Sequence, residues 1–182
     1  MLFKAQPHLS CMRTNLFVPA LLLIMHLVET TQLFAQSAWR QVGKTGEWSN
    51  TVMLRNMNGV FYSLESDGTM YATTVNGSSS TFQRINNPGT YAGTTLFAVK
   101  DGLIYYVQDG TLYTTDSRGG SWHELSKGWY NTTAMAIMGG YIWSLEKDGS
   151  LYRSDINGNY QLIGERDAMP DVKFLVAMGS KL

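Results

Sequence analysis

The chain has 182 residues, with 14 Lys+Arg against 14 Asp+Glu and a formal net charge of zero. That length suits one domain, and the absence of a basic stripe or charge block argues against nucleic acid or an anionic membrane as a partner. The single cysteine, Cys11, lies close to the N-terminus, so core packing rather than disulfides must hold the fold.

The first element in chain order is "LFVPALLLIMHLV", Leu16 to Val28, apolar apart from Pro19 and His26, with Lys4 and Arg13 upstream. A bilayer span needs about 20 apolar residues, so this shorter run predicts no membrane span and reads as the core of a signal peptide over residues 1–35. Cleavage is expected after Ala35 or Ser37, with Met12 as an alternative start, and the expected destination is outside the cytoplasm, extracellular or periplasmic. From Gln36 onward 12 Lys+Arg face 13 Asp+Glu and no cysteine remains.

Residues 36–182 predict one all-β domain. "TVMLRNM", "GVFYSLE", "GTMYATT" and "TFQRI" are four short runs rich in strand-forming residues, separated by Asn58-Gly59, Asp67-Gly68 and a Ser-rich turn. Asn-Gly and Asp-Gly pairs favour type I′ hairpins. The unit then recurs. Asp-Gly turns stand at Asp67-Gly68, Asp109-Gly110 and Asp148-Gly149, spaced 42 and 39 residues apart. An earlier turn precedes each, at Asn58-Gly59, Asp101-Gly102 and Gly139-Gly140, and Gly179-Ser180 is a fourth copy of it. Downstream of each Asp-Gly turn comes an aromatic, two mostly polar residues and an aliphatic, as "FQRI", "WHEL" and "YQLI", and "WRQV" from Trp39 precedes the first. A period near 40 built only of strand signals means β-propeller blades of four strands. Three copies are complete, flanked by a lone last strand at Trp39 and a lone first strand, "KFLVAM", from Lys173.

Alternation places Val60, Tyr62 and Leu64 on one face and Ser63 and Glu65 on the other. The matching sets are Leu103, Tyr105, Val107 and Tyr141, Trp143, Leu145. Phe61, Ile104 and Ile142 make both faces apolar, as expected of sheets that stack on one another. Closed propellers typically have about 4–8 blades. A longer reading frame, a homo-oligomer that completes the ring, or an open stack each accommodates three.

The order aromatic-x-x-aliphatic, Gly-x-aromatic, apolar strand, then Asp-Gly-x-Leu-Tyr resembles the propeller lectins of the tachylectin and tectonin kind. The clearest instances are "WRQVGKTGEWSNTVMLRNMNGVFYSLESDGTMY" and "WHELSKGWYNTTAMAIMGGYIWSLEKDGSLY". The resemblance implies a propeller that binds amino-sugars or related surface glycans at repeated sites between blades, with Trp48, Tyr91 and Trp129 at the matching aromatic positions. The chain departs from that pattern in having Tyr91 for Trp, Met169 at the fourth copy and no full ring. "TTDSRGGSWHEL", Thr114 to Leu125, looks like the Asp-box turn of sialidase-type propellers, with Ser117 at the Asp position and Asp116 one residue early. That turn is structural and does not imply a sialidase.

For catalysis the residues offer little. His123 is the one histidine after the signal and has no triad spacing. Glu65 and Glu146 recur, but Gln108 holds that place in the middle copy, so solvated strand ends are expected rather than an acid pair. "DINGNY" from Asp155 lacks the spacing of a calcium loop and reads as a plain turn. Neither a metal nor a cofactor is expected, and the chain reads as a non-enzyme. An aromatic recurring once per blade is first of all a packing device. The same rings can stack on a sugar while amides bond its hydroxyls, which makes Trp48 with Asn50, Tyr91, and Trp129 with Asn131 the candidate ligand-binding residues. A surface or scaffold repeat for protein partners without sugar specificity is the alternative. Tyr106 breaks the repeat where the other copies have Ser63 and Ser144. Asn76 and Asn131 begin N-glycosylation sequences.

Overall fold

Left-handed backbone is needed at both central residues of a type I′ turn, and Asn, Asp and Gly supply it at least cost. In the computed structural model, which describes residues 41–178 and 181–182, Asn58-Gly59, Asp101-Gly102 and Gly139-Gly140 all have positive φ. Each joins the first two strands of a four-stranded antiparallel sheet. The first sheet is β1 (Thr51–Met57), β2 (Val60–Glu65), β3 (Met70–Asn76) and β4 (Ser79–Ile85). The second is β5 (Thr94–Lys100), β6 (Leu103–Gln108), β7 (Thr111–Asp116) and β8 (Trp122–Lys127). The third is β9 (Thr132–Met138), β10 (Tyr141–Glu146), β11 (Leu151–Ser154) and β12 (Tyr160–Ile163). Strand order within each sheet follows chain order. These are three propeller blades of an all-β fold. The expected signal segment, Trp39 and Arg40 of the expected strand, and the expected turn at Gly179-Ser180 lie outside the described residues, and Gln41 and Val42 are not in a strand.

The Asp-Gly turns differ from expectation. Only Asp109-Gly110 has both residues at positive φ, and there Gln108 pairs directly with Thr111. The first and third blades carry one more residue, Ser66 and Lys147. Their loops close instead by Glu65 N–H to Thr69 O at 2.8 Å and Glu146 N–H to Ser150 O at 2.9 Å. Asp67 and Asp148 then turn their carboxylates onto the Thr69 and Ser150 amides, at 2.8 and 2.9 Å. One inserted residue changes the turn type.

The blades stack. Tyr62 and Leu64 of β2 bury against Phe97, Ile104 and Tyr106 of the second blade, in one cluster that includes Met70, Ile85 and Tyr91. The opposite face of the second blade presents Tyr105, Val107 and Leu112 to Met135 and Ile142 of the third. Successive residues of β6 thus serve different neighbours, which is why Ile104 and Tyr105 are both buried. β1 lies beside β5 and β5 beside β9, and Arg55 Nε of β1 donates to the Phe97 carbonyl of β5 at 3.1 Å.

The expected first strand of a fourth blade, Lys173 to Met178, forms no ladder among the described residues; its one bridge is Met178 with Lys181. Phe174 and Met178 stand 82% and 74% exposed. A first strand takes its hydrogen bonds from the second strand of its own blade, and none is described beside this one.

Candidate functional site

The repeat builds one arrangement three times. On the third strand of each blade a tyrosine meets the first ring of the fourth strand edge to face. The pairs are Tyr71 with Phe82 at 6.1 Å and 87°, Tyr113 with Trp122 at 5.6 Å and 80°, and Tyr152 with Tyr160 at 6.0 Å and 74°. Cross-strand register fixes what stands opposite each tyrosine on the second strand: Ser63 opposite Tyr71, Tyr106 opposite Tyr113, and Ser144 opposite Tyr152.

In the third blade this wall lines a cavity of about 710 Å³ that reaches back to the end of β8. Tyr152, Tyr160 and Trp129 supply ring surface, while Asn131, Ser144 and Glu146 supply polar groups. Thr132 Oγ1 donates to Glu146 Oε1 at 2.8 Å and fixes the carboxylate. Partial burial pushes the Glu146 pKa above the usual carboxylate range, the Thr132 hydrogen bond opposes this, and Asp148 adds to it. Trp129 opens a short 3₁₀ turn, Trp129–Asn131. Its ring nitrogen donates to Ser126 Oγ at 2.9 Å, which orients the indole. Lys127 and Lys147 also line this cavity.

The first blade repeats the motif in a cavity of about 440 Å³ lined by Asn50, Glu65, Asp67, Tyr71 and Phe82, with Glu47 at the rim. Thr51 Oγ1 donates to Glu65 Oε1 at 2.8 Å, as in the third blade. Trp48 packs on Phe82 with ring centroids 5.1 Å apart. Three carboxylates and no lysine or arginine line this cavity, so its field opposes anionic ligands.

The second blade is closed at the same place. Tyr91 is only 1% exposed and meets the Tyr106 ring edge to face at 5.1 Å. Tyr106 stacks on Tyr113 at 5.4 Å and 25°. Burial, with Tyr91 and Tyr113 adjacent, pushes the Tyr106 phenol up to about 12. Tyr91, one of the five candidate residues, is therefore a core ring. Asn50 and Asn131 are exposed, and Trp48 and Trp129 are half-buried. Sequence reasoning singled out Trp129 and Asn131 but missed Tyr152, Tyr160 and the Thr132–Glu146 pair. Their counterparts at the same offsets in the first blade were the available signal.

The Asp-box-like turn is built by Asp116, whose Oδ1 accepts from the Arg118 and Gly120 amides at 2.8 and 3.1 Å. Asp155 repeats the pattern with the Asn157 and Asn159 amides at 2.9 and 3.0 Å, although the sequence does not keep the motif there. Both carboxylates are occupied in closing turns. No group of three or more His, Cys, Asp or Glu among the described residues is placed to hold a metal, and no described helix is long and apolar enough to cross a membrane.

Against solved structures the fold is similar to the computationally designed Ika4 protein, at 20% identity and a TM-score of 0.52 over 78% of this chain and 88% of that one. Weaker likenesses are to the designed Ika8 protein, at 19% identity and a TM-score of 0.44 over 57% of this chain and 32% of that one, and to YCF48 bound to D1 peptide, at 14% identity and 0.41 over 58% and 38%. No protein-family model matches the chain, and no curated protein matches it. The likeness to Ika4 supports the propeller-like fold.

Proposed function

We propose that the protein is an exported, lectin-like carbohydrate-binding module, not an enzyme, whose sites are the cavities of the first and third blades. The observation that carries this reading is the recurrence, in two blades, of one combination. Two perpendicular rings form a wall, a Thr-held glutamate faces the cavity, and an Asn lies at the rim. Ring faces take the apolar side of a sugar, and fixed acceptors and amides take its hydroxyls. Repeated shallow sites gain strength on a glycan-bearing surface through multivalency.

The resemblance to the tachylectin and tectonin lectins favours amino-sugars as the ligand class, and the acidic lining of the first-blade cavity favours neutral or cationic glycans over acidic ones. Binding without catalysis is supported by Asp67 and Asp148, whose carboxylates accept hydrogen bonds from their own turns. The apolar run Leu16 to Val28 supports export. A glycan array tests the reading. Trp129→Ala and Asn131→Ala should weaken capture while each variant keeps a cooperative melt; undiminished capture would count against the third-blade site.

A second reading is a surface for a protein partner without sugar specificity. It is favoured by the exposed rings Trp122, Tyr130 and Tyr160, at 62%, 79% and 76%. A silent array with a saturable protein partner would select it.

A further inference from the structure

One register position separates the closed second blade from the open third one. Ser63, Tyr106 and Ser144 stand directly opposite Tyr71, Tyr113 and Tyr152. The edge-to-face wall behind them is kept in all three blades, so the second blade has not lost its wall. What differs from the third blade is that a phenol ring stands where Ser144 leaves space on the cavity wall; Ser63 of the first blade is itself fully buried and does not line that blade's cavity. Tyr106 is 5% exposed, packed between Tyr91 and Tyr113. In the third blade Ser144 lines the cavity.

The polar partner changes with it. Thr51 and Thr132 donate to Glu65 and Glu146, but Gln108 stands at that place in the second blade. Its amide turns away to the Ala92 carbonyl, at 2.5 Å, and the Thr90 carbonyl, at 3.4 Å. The hydroxyl of Thr94, the counterpart of Thr51 and Thr132, is buried without a partner. The middle copy has thus lost its entrance and its acceptor together.

We infer that Tyr106 is an internal plug: it closes the second blade at the register position where Ser144 leaves the third blade open. The chain then carries two sugar sites rather than three, which rests on the reading proposed above. The plug also has a structural benefit, since it extends the core between the first and second blades.

Two exchanges test the plug in opposite directions. Tyr106→Ser with Gln108→Glu gives the second blade the side chains of the others, and Ser144→Tyr closes the third. Hydroxyl-radical footprinting reads the geometry without any ligand. Tyr91 should be protected in the native protein and become as reactive as Trp129 in the opened variant, whereas Trp129 and Tyr152 should become protected in Ser144→Tyr. Calorimetric titration with N-acetylglucosamine as the probe then reads occupancy. Two sites are expected in the native protein, three in the opened variant and one in Ser144→Tyr.

If Tyr106→Ser/Gln108→Glu does not fold, Ser144→Tyr still decides the matter, because it fills space and does not create a cavity. Trp129 remaining reactive in folded Ser144→Tyr, or an unchanged stoichiometry in a protein that binds the sugar, would overturn the plug. A native protein that binds no sugar would defeat the proposed function, and the footprint alone would then decide whether Tyr106 closes the blade.

Discussion

The Tyr91 amide donates to the Gly68 carbonyl at 3.0 Å, which fastens the start of the second blade to the central turn of the first. The contact is a repeated device. Trp129 N–H meets Gly110 O at 2.9 Å and Met169 N–H meets Gly149 O at 3.0 Å. Tyr91 and Trp129 are therefore inter-blade fasteners first, whatever their rings do afterwards. Met169, which departs from the aromatic rule, keeps the backbone contact.

Gly68 has φ 79°, and a Cβ there would collide with the Ala92 backbone. Gly68→Ala meets both a left-handed backbone and a steric block, so a loss of roughly 1–3 kcal/mol is expected. Gly59 also has positive φ but open space around it, so Gly59→Ala should cost less. Denaturant melts of the two variants check the difference; equal losses would show that the fastening contact adds nothing.

Phe97 is fully buried between the first two blades, with Arg55 over its ring at 5.4 Å. Phe97→Ala should cost about 3–5 kcal/mol as an unfilled cavity. If the blades unfold independently rather than as a stack, the melt of the variant will split into two transitions instead of shifting as one.

Acid should weaken binding and stability over different pH ranges. Burial raises Glu146, so it protonates as pH falls through a value above the usual glutamate range. Its acceptor role in the third-blade cavity, where Asp148, Lys147 and Lys127 also face the ligand space, is lost there. Sugar binding at this site should weaken early in the titration, and Glu146→Gln should remove that step. For stability, the raised Glu146 favours the folded state below its unfolded value, a contribution lost as pH rises through the folded one. Backbone hydrogen bonds lower Asp67, Asp116 and Asp148, and the Asn159 side chain is the first cause for Asp155. Their contribution is present above about pH 3.9 and is lost as pH falls through their lower folded values. A melt series from neutral pH to pH 2 should show the fall concentrated below pH 4 or so; a flat profile would contradict the role of these turns.

Asn131 lies both in an N-glycosylation sequence and at the rim of the third-blade cavity. Where the chain is made in a host that modifies such sites, a glycan on Asn131 should block that cavity and leave the first blade free. Sugar stoichiometry of glycosylated and enzymatically trimmed protein checks this, and identical values on a fully occupied Asn131 would place the ligand elsewhere.

Much of the architecture was legible because it is local. Two-residue turns and period-2 alternation are written in adjacent residues, so β1 and the split of Ile104 from Tyr105 could be read directly. The Asp67 and Asp148 turns could not, because one extra residue changes the hairpin while leaving the Asp-Gly pair intact. The break at Tyr106 was visible as an anomaly. Its consequence depended on Tyr91 arriving from the preceding loop and Tyr113 from the next strand, which no local pattern shows. For the same reason the offset that matches Tyr91 to Trp129 does not show which of the two readings, packing ring or ligand ring, each position takes, and Tyr91 stands in the core.

A glycan array probed with the native protein and with Ser144→Tyr tests whether the third-blade cavity binds sugar. Capture of amino-sugar glycans by the native protein and a clear loss of signal in the folded variant are expected. A silent array for a native protein that melts cooperatively, or equal signals from both proteins, would contradict a sugar site in that cavity.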